Sequence, residues 1–171
     1  VASLEQGAPS GDMDTAKQQA KMILKTLSHR SPQRMSIDSG QYVVLTTPRH
    51  SYVLDEGVCF LSLCDKTYPK RLSFAFLDEL KDVFFAELQK DYGDHWRAEV
   101  AAVARPYAFI KFDKHIQRLR KQYADPESSR NQSKIASDLS DVQNIMKKNI
   151  TEVLERGDRL DRAFVSDVQH L

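Results

Sequence analysis

The sequence lacks long hydrophobic runs and is poor in cysteine. No stretch approaches the roughly 18 consecutive apolar residues needed to cross a bilayer, and no signal peptide is visible in the 171 residues. The two cysteines, Cys59 and Cys64, lie five residues apart in a strand-like run. They are expected to point to opposite faces and to stay free thiols in a reducing compartment rather than form a disulfide.

Strong net charge and catalytic motifs are also missing. The net charge is +1, which gives no reason to expect nucleic acid or a membrane surface as a partner of the whole chain. The histidines are scattered without metal-ligand spacing, and neither a P-loop nor a G-x-S-x-G motif is present. The sequence therefore predicts a protein that is not an enzyme, with no cofactor and no metal.

Residues 1–124 alternate between helical and strand-like periods. The runs MSID, YVVLTT, SYVLDE and VCFLSLCD predict an antiparallel meander. A helix of period 3.6 precedes them, a second helix opens at Pro69, and a third runs from about Tyr107 to Tyr123. The order β–α–β–β–β–α–α predicts an α+β fold with a sheet between helices. The apolar run VCFLSLC predicts a central strand covered on both faces.

The two later helices carry aromatic and basic residues. Most aromatic side chains in them are expected to form core: Phe74, Phe76, Phe84, Phe85, Phe109 and Phe112. The basic run is most simply a solvated helix face: Lys111, Lys114, Arg118, Arg120 and Lys121. The alternative for this run is a weak contact with acidic partners or phospholipid head groups.

The composition changes after residue 124. Residues 125–130 have the composition of a linker, and residues 131–171 contain no proline and only one glycine, Gly157. One apolar stripe, called the seam below, advances in alternating steps of four and three residues. Its members are Ile135, Leu139, Val142, Met146, Asn149, Val153, Arg156, Leu160 and Ala163. This period is that of a coiled coil.

Arg156 is the anomaly of the seam. A charge in a dry helical seam costs several kcal/mol unless acceptors surround it. Either the seam is solvated there, or partner helices bring acceptors that the guanidinium fork can engage together. A homodimeric coiled coil is disfavoured, because it would set Arg156 against its own copy.

The stretch LSDVQNIMKKNITEVLERGDRL, residues 139–160, resembles the SNARE motif of an R-SNARE, in which a central arginine stands among apolar layers. The stretches EGVCFLSLCDKTYPKRLSFAFLDEL and ARPYAFIKFDKHIQ resemble a longin domain, which has a profilin-like fold. Together they resemble the longin-domain R-SNAREs of endoplasmic reticulum–Golgi traffic, the Sec twenty-two type. The resemblance covers nearly the whole chain.

The resemblance implies a domain order and a set of roles. Residues 1–124 would be the longin domain with its first strand missing or shortened, 125–130 the linker, and 131–171 the N-terminal and central part of the SNARE motif. Arg156 would be the zero-layer residue that meets three Q-SNARE helices, and the other seam residues would form the layers around it. Asn149 and Ile150 would fold back on the longin domain, and the inner COPII vesicle coat would recognise this closed form.

The resemblance also implies a membrane anchor beyond Leu171 and a location on the cytosolic face of the endoplasmic reticulum, the Golgi and transport vesicles. Residues around Tyr42–Pro48 and Gly93–Ala102 are expected to be insertions, and Thr151 replaces the usual acidic residue after Ile150. The alternative function is a regulatory longin-type module with a coat or small-GTPase partner and no fusion activity.

Overall fold

A computed structural model describes residues 10–28, 30–39, 48–136 and 140–155. The helices and strands follow in chain order: α1 (Ser10–Thr26), β1 (Arg34–Asp38), β2 (Pro48–Asp55), β3 (Val58–Asp65), α2 (Lys70–Tyr92), α3 (Trp96–Ala101), α4 (Asp113–Tyr123), α5 (Ser129–Ala136), α6 (Ser140–Gln143) and β4 (Met146–Asn149). Short 3₁₀ turns stand at Gly93–His95 and Ile110–Phe112. Residues 150–155 are helical.

The strands of the described residues form one mixed sheet in the order β3-β2-β1-β4. β2 pairs antiparallel with both β1 and β3, whereas β4 pairs parallel with β1. The α+β prediction is confirmed, with helices on both faces of the sheet. The sheet is mixed rather than purely antiparallel, because its fourth strand comes from the distant C-terminal segment.

The side chains of the strands alternate between two apolar cores. On one face, Ile23 of α1 packs with Met35, Ile37 and Tyr52. On the other face, residues of α2 and α4 pack with Val53 and Phe60. The alternation follows from the two-residue period of a strand.

The cysteines follow the same alternation. Cys59 packs with the α1 core, and the Cys64 Sγ lies 3.7 Å from the Ser73 Oγ of α2. Both thiols are free, as predicted, and burial raises the pKa of the Cys59 thiol to about 12.

Aromatic rings connect α2 to the segments after it. The ring centroid of Phe84 lies 5.5 Å from that of Phe109 and 4.9 Å from that of Phe112, both in edge-to-face geometry. Phe60 meets Phe84 at 5.6 Å. Such pairs contribute about 0.5–1.5 kcal/mol each beyond their buried area. The prediction that these aromatics form core is confirmed.

Two details of the domain differ from the sequence prediction. Within the described residues β3 stands at the end of the strand order, so its predicted central place is not observed there, although helices cover both of its faces. The third predicted helix begins at Asp113 rather than Tyr107. Tyr107 has φ 58°, in the left-handed region, which no residue of a right-handed helix adopts.

The predicted insertions have different outcomes. Residues 41–47, which include most of the first insertion and the run YVVLTT, lie outside the described residues, as does the shortened first strand. Residues 93–102 form a 3₁₀ turn and α3, and the buried ring of Trp96 lies 5.0 Å from that of Phe85. This segment therefore adds to the domain core.

The expected long helix after residue 131 is interrupted. α5 ends at Ala136, α6 spans only Ser140–Gln143, and β4 is extended. β4 gains backbone hydrogen bonds from β1, which a solitary helix in water does not offer, and its flanking isoleucines enter the two cores. Tertiary contacts thus override the helical period of the sequence.

Candidate functional site

The candidate site is the junction of the C-terminal segment with strand β1. β4 adds in parallel to β1, with Met35 opposite Met146 and Asp38 opposite Asn149. The helices that precede β4 run along α2, so the segment reaches β1 from that side of the sheet. The junction satisfies backbone groups of β1 that would otherwise face water on its outer edge.

Ile150 fixes the segment on the α1 face of the sheet. Its side chain is 6% exposed and packs with Ile23, Met35, Ile37 and Tyr52. Val153 and Leu154 of the following helical turn lie partly buried against the same core. Burial of one isoleucine side chain contributes about 1.5–3 kcal/mol, so Ile150 is a principal apolar contact of the junction.

Ile145 fixes the segment on the opposite face. It is 8% exposed and joins the core formed by α2 and α4, where Ile135 and Val142 also pack in part. Ile145 and Ile150 lie five residues apart across an extended segment, so their side chains point to opposite faces. The two isoleucines therefore hold the edge of the sheet between them.

Polar contacts supplement the apolar ones. The Lys70 Nζ donates a hydrogen bond to the Ile145 carbonyl oxygen at 3.2 Å, and the Arg71 guanidinium donates to the carbonyl oxygen of Ile135. Burial lowers the pKa of Lys70, and the nearby charges of Arg49 and Lys147 lower it further. These bonds satisfy carbonyls at the ends of interrupted helices, where a continuous helix would satisfy them internally.

Strand β4 also carries an ion pair with β1. The Lys147 Nζ lies 3.0 Å from the Asp38 Oδ2, and Lys66 approaches the same oxygen at 3.8 Å. The Asp38 side chain is only 16% exposed. Lys147 thus brings a positive charge to a largely buried carboxylate, which favours one register of β4 on β1.

Asn149 ends the strand and begins the next helical turn. Its Oδ1 accepts a hydrogen bond of 3.0 Å from the backbone N–H of Thr151. This is the geometry of a helix N-cap for residues 150–155. The polar side chain of the seam residue Asn149 therefore caps a helical turn when the segment is docked on β1.

The start of the segment is tied to α2 and α4. The Tyr123 hydroxyl donates to the Glu79 Oε2 at 2.6 Å, and Arg130 donates to both Glu79 oxygens at 3.0 and 2.9 Å. The buried Asn131 donates to the carbonyl oxygens of Gln122 and Asp125 at 2.9 and 2.7 Å. Burial raises the pKa of Glu79, but the Tyr123 bond and the charges of Arg130 and Lys134 outweigh it and lower the pKa.

The predicted seam residues do not share one face here. Ile135, Val142 and Val153 are partly buried against the domain, whereas Met146 and Asn149 are exposed. The remaining seam residues lie outside the described residues: Leu139, Arg156, Leu160 and Ala163. The zero-layer and layer roles therefore stay predictions.

Sequence reasoning pointed to Asn149 and Ile150 but missed their partners. Ile145, Lys70, Arg71 and Asp38 were not singled out. The available signal was the pair of isoleucines five residues apart around a polar stretch, a spacing that suits an edge strand anchored on both faces. The contacts of Lys70 and Arg71 with carbonyl oxygens left no sequence signal.

The described residues hold neither a cluster of His, Cys, Asp and Glu side chains suited to a metal ion nor a helix long and apolar enough to cross a membrane. The site consists of strand pairing, apolar anchors and a few charge-assisted hydrogen bonds. Such an arrangement suits reversible binding of a chain segment.

Two family models match the chain. The longin model, described as a regulated-SNARE-like domain, matches residues 2–116, and the synaptobrevin model matches residues 131–163. The junction described above joins the two matched regions, since β1 lies in the first and β4 in the second.

Curated relatives match over most of the chain. The vesicle-trafficking protein SEC22b-A of Danio rerio is 40% identical over 161 residues, which are 94% of this chain and 68% of the relative. The vesicle transport protein SEC22-1 of Arabidopsis thaliana is 38% identical over 93% of this chain and 67% of the relative. The protein transport protein sec22 of Schizosaccharomyces pombe is 35% identical over 95% of this chain and 69% of the relative. The chain therefore belongs to the SEC22 family of vesicle-trafficking proteins, longin-domain R-SNAREs with a synaptobrevin-like SNARE segment.

Proposed function

We propose that the chain acts as an R-SNARE in endoplasmic reticulum–Golgi transport and zips with three Q-SNARE helices. The synaptobrevin match over residues 131–163 includes Arg156 and the whole seam, and the relatives are named for vesicle trafficking and protein transport. A central arginine with a planar fork of donors suits a layer of side-chain acceptors from three helices. A C-terminal anchor would place this reaction on the cytosolic face of these membranes.

We further propose that docking of residues 145–155 on the longin domain controls access to the seam. The observation that carries this proposal is the extended conformation of Met146–Asn149 on β1. The same residues would have to be helical in a zippered bundle, so docking and zippering exclude each other. Two competing equilibria follow, and Q-SNARE helices shift the population toward the open chain.

The closed form is also the proposed cargo signal for the inner COPII coat. Met146 is 48% exposed on the docked strand, beside β1 of the longin domain. A coat protein that contacts both strand β4 and the longin domain would bind the closed chain. It would lose its contact with β4 when the segment undocks from β1. Sorting would then select chains whose seam is not yet engaged.

Ile150→Ala tests the control by docking. Shortening a buried isoleucine costs about 2–5 kcal/mol, which weakens the closed form while the α2 core stays intact. We expect faster hydrogen exchange across residues 145–155 and faster helix formation, followed by circular dichroism, on mixing with three Q-SNARE helices. Thr151→Ala, at an exposed position of the same segment outside the seam, is the matched control. Equal assembly rates for both variants and the parent chain would contradict control by docking.

Arg156→Leu separates the R-SNARE from the alternative regulatory module. An R-SNARE predicts that the longin domain stays folded while the assembled bundle loses its fixed register. Cysteine cross-linking of paired helices reports the register, and melting of the bundle reports the affinity. Unchanged register and affinity would reject the zero-layer role and favour a module that binds a coat or small GTPase.

A further inference from the structure

The loop between α3 and α4 exposes apolar side chains. Val103, Tyr107 and Ile110 are 40%, 60% and 56% exposed. Tyr107 and Ile110 border a groove of about 580 Å³ between α2 and the segment that leads into α4. Tyr107 holds a left-handed backbone, at φ 58°, and its ring gains little burial in return. A strained aromatic residue that stays exposed points to a role outside the fold.

A stripe of positive charge starts beside this loop. Lys111, Lys114, Arg118 and Lys121 are all exposed, and their spacing of three, four and three residues sets them on one face of α4 and the turn before it. Within the described part of the chain, Lys111, Arg118 and Lys121 form no ion pair, and Lys114 only approaches Glu87 at 3.9 Å. We call these four residues the basic stripe.

The charge of this region is strongly asymmetric. Residues 107–124 contain five Lys and Arg residues against one carboxylate, Asp113, in a chain whose net charge is only +1. The two carboxylates of the groove, Glu87 and Asp91, lie on α2, and Glu87 also lies 3.6 Å from the His115 Nε2. The outer face of α4 is therefore cationic, with an apolar end.

We propose that the basic stripe and the exposed loop form a docking surface for an anionic phospholipid membrane. Lysine and arginine side chains near a membrane surface are attracted by anionic head groups, and tyrosine and isoleucine side chains enter the interface. An acidic protein partner is the other occupant that suits this surface, and the vesicle test below separates the two. The combination of an apolar tip and a line of charges matches a membrane, and this family works in vesicle trafficking.

Vesicle flotation tests this surface with the intact chain. The vesicles contain phosphatidylcholine alone or phosphatidylcholine with about one third phosphatidylserine. We expect binding to the anionic vesicles only, with a loss of binding as the salt concentration rises. Each cation near the surface is worth about fivefold in partitioning, so Lys111→Glu with Arg118→Glu is expected to lower binding at least about tenfold.

The matched control is Lys21→Glu with Lys25→Glu, which makes the same charge change at exposed positions of α1. This control is expected to keep most of the binding. Tyr107→Ser with Ile110→Ser tests the apolar tip and should also weaken binding, while melting curves confirm that each variant is folded. Equal loss in stripe and control variants, or no binding to anionic vesicles by the parent chain, would overturn the proposal and leave the stripe to an acidic protein partner.

Discussion

At the scale of single residues, a buried histidine makes the stability of the fold depend on pH. His50 is fully buried beneath α1, and its Nδ1 lies 2.9 Å from the Ser39 Oγ. Burial lowers the pKa of His50 to about 4, because the charged imidazolium would lose its hydration there. The imidazole of His50 is therefore neutral in the folded protein at neutral pH.

This pKa predicts that acid weakens the fold before the carboxylates titrate. Between pH 6.5 and 4 the unfolded chain binds a proton at His50 that the folded chain does not bind, so the free energy of unfolding falls as pH falls. The full loss is about 3 kcal/mol. Urea unfolding at several pH values from 6.5 to 4.5 measures the slope. His50→Asn should reduce this slope, and an unchanged slope would assign the acid effect to other groups.

Asn149 gives a second prediction at this scale. Asn149→Ala removes the N-cap of residues 150–155, which costs about 1 kcal/mol in the docked conformation. Amide exchange of residues 151–155 should rise about fivefold. Asn149→Ser keeps an acceptor and is the matched control. Similar exchange in both variants would mean that the side-chain oxygen of residue 149 does not stabilise the turn.

At the scale of elements, turns and edges decide the arrangement more than periodicity does. β2 and β3 join through Glu56 and Gly57, at φ 48° and 75°. Two successive left-handed residues form the turn type whose twist suits a two-residue hairpin. The Arg97 guanidinium donates to both Glu56 carboxylate oxygens at 3.0 Å, which lowers the pKa of this exposed carboxyl.

Gly57→Ala is expected to destabilise the domain by about 1 kcal/mol or more through the backbone alone. A Cβ at this position would meet no atom within 4 Å, so no steric clash adds to the cost. Thermal unfolding measures the effect. Glu56→Asn should keep a melting temperature close to that of the parent chain, because asparagine tolerates the left-handed region. Equal melting temperatures for Gly57→Ala and the parent chain would show that the turn does not limit stability.

The elements also show what sequence reasoning can and cannot predict. Helix α2 was predictable, because Leu72, Leu80 and Phe84 repeat at helical spacing and all are buried. Strand β4 was not, because Lys147, Lys148 and Asn149 have no strand propensity and stand within a heptad pattern. Its conformation depends on the free edge of β1, more than 100 residues earlier in the chain. Local sequence does not encode such a partner. The resemblance to a family implied only that Asn149 and Ile150 fold back on the longin domain, and neither the extended strand nor its pairing with β1 was predicted.

At the scale of the whole molecule, we expect the docked segment and the domain to form two units of different stability. The three antiparallel strands share long registers and two cores, whereas β4 adds four residues on one edge. The β2–β3 pairing involves no residue of the segment, so we expect it to survive local opening of the segment. Partial unfolding of this kind has its own free energy below that of global unfolding.

Native-state hydrogen exchange should reveal this sub-global opening. We expect the β1 amides that face β4 to exchange together with residues 145–155, and β2–β3 amides to exchange more slowly. Ile150→Ala should accelerate the first group and leave the second nearly unchanged. Simultaneous acceleration of both groups would indicate that the segment and the domain unfold as one unit.

Undocking of residues 145–155 exposes one edge of the longin domain, along strand β1. Strand β1 then keeps a row of unpaired N–H and C=O groups beside the apolar Met35 and Ile37, which is an adhesive edge. Another extended segment can add there, including the same segment of a second copy, which would produce an exchanged dimer. The short length of β1 and the charge of Asp38 limit this risk. The segment that is proposed to drive fusion is thus also expected to keep this edge covered, and to limit aggregation of its own domain, until partner helices displace it.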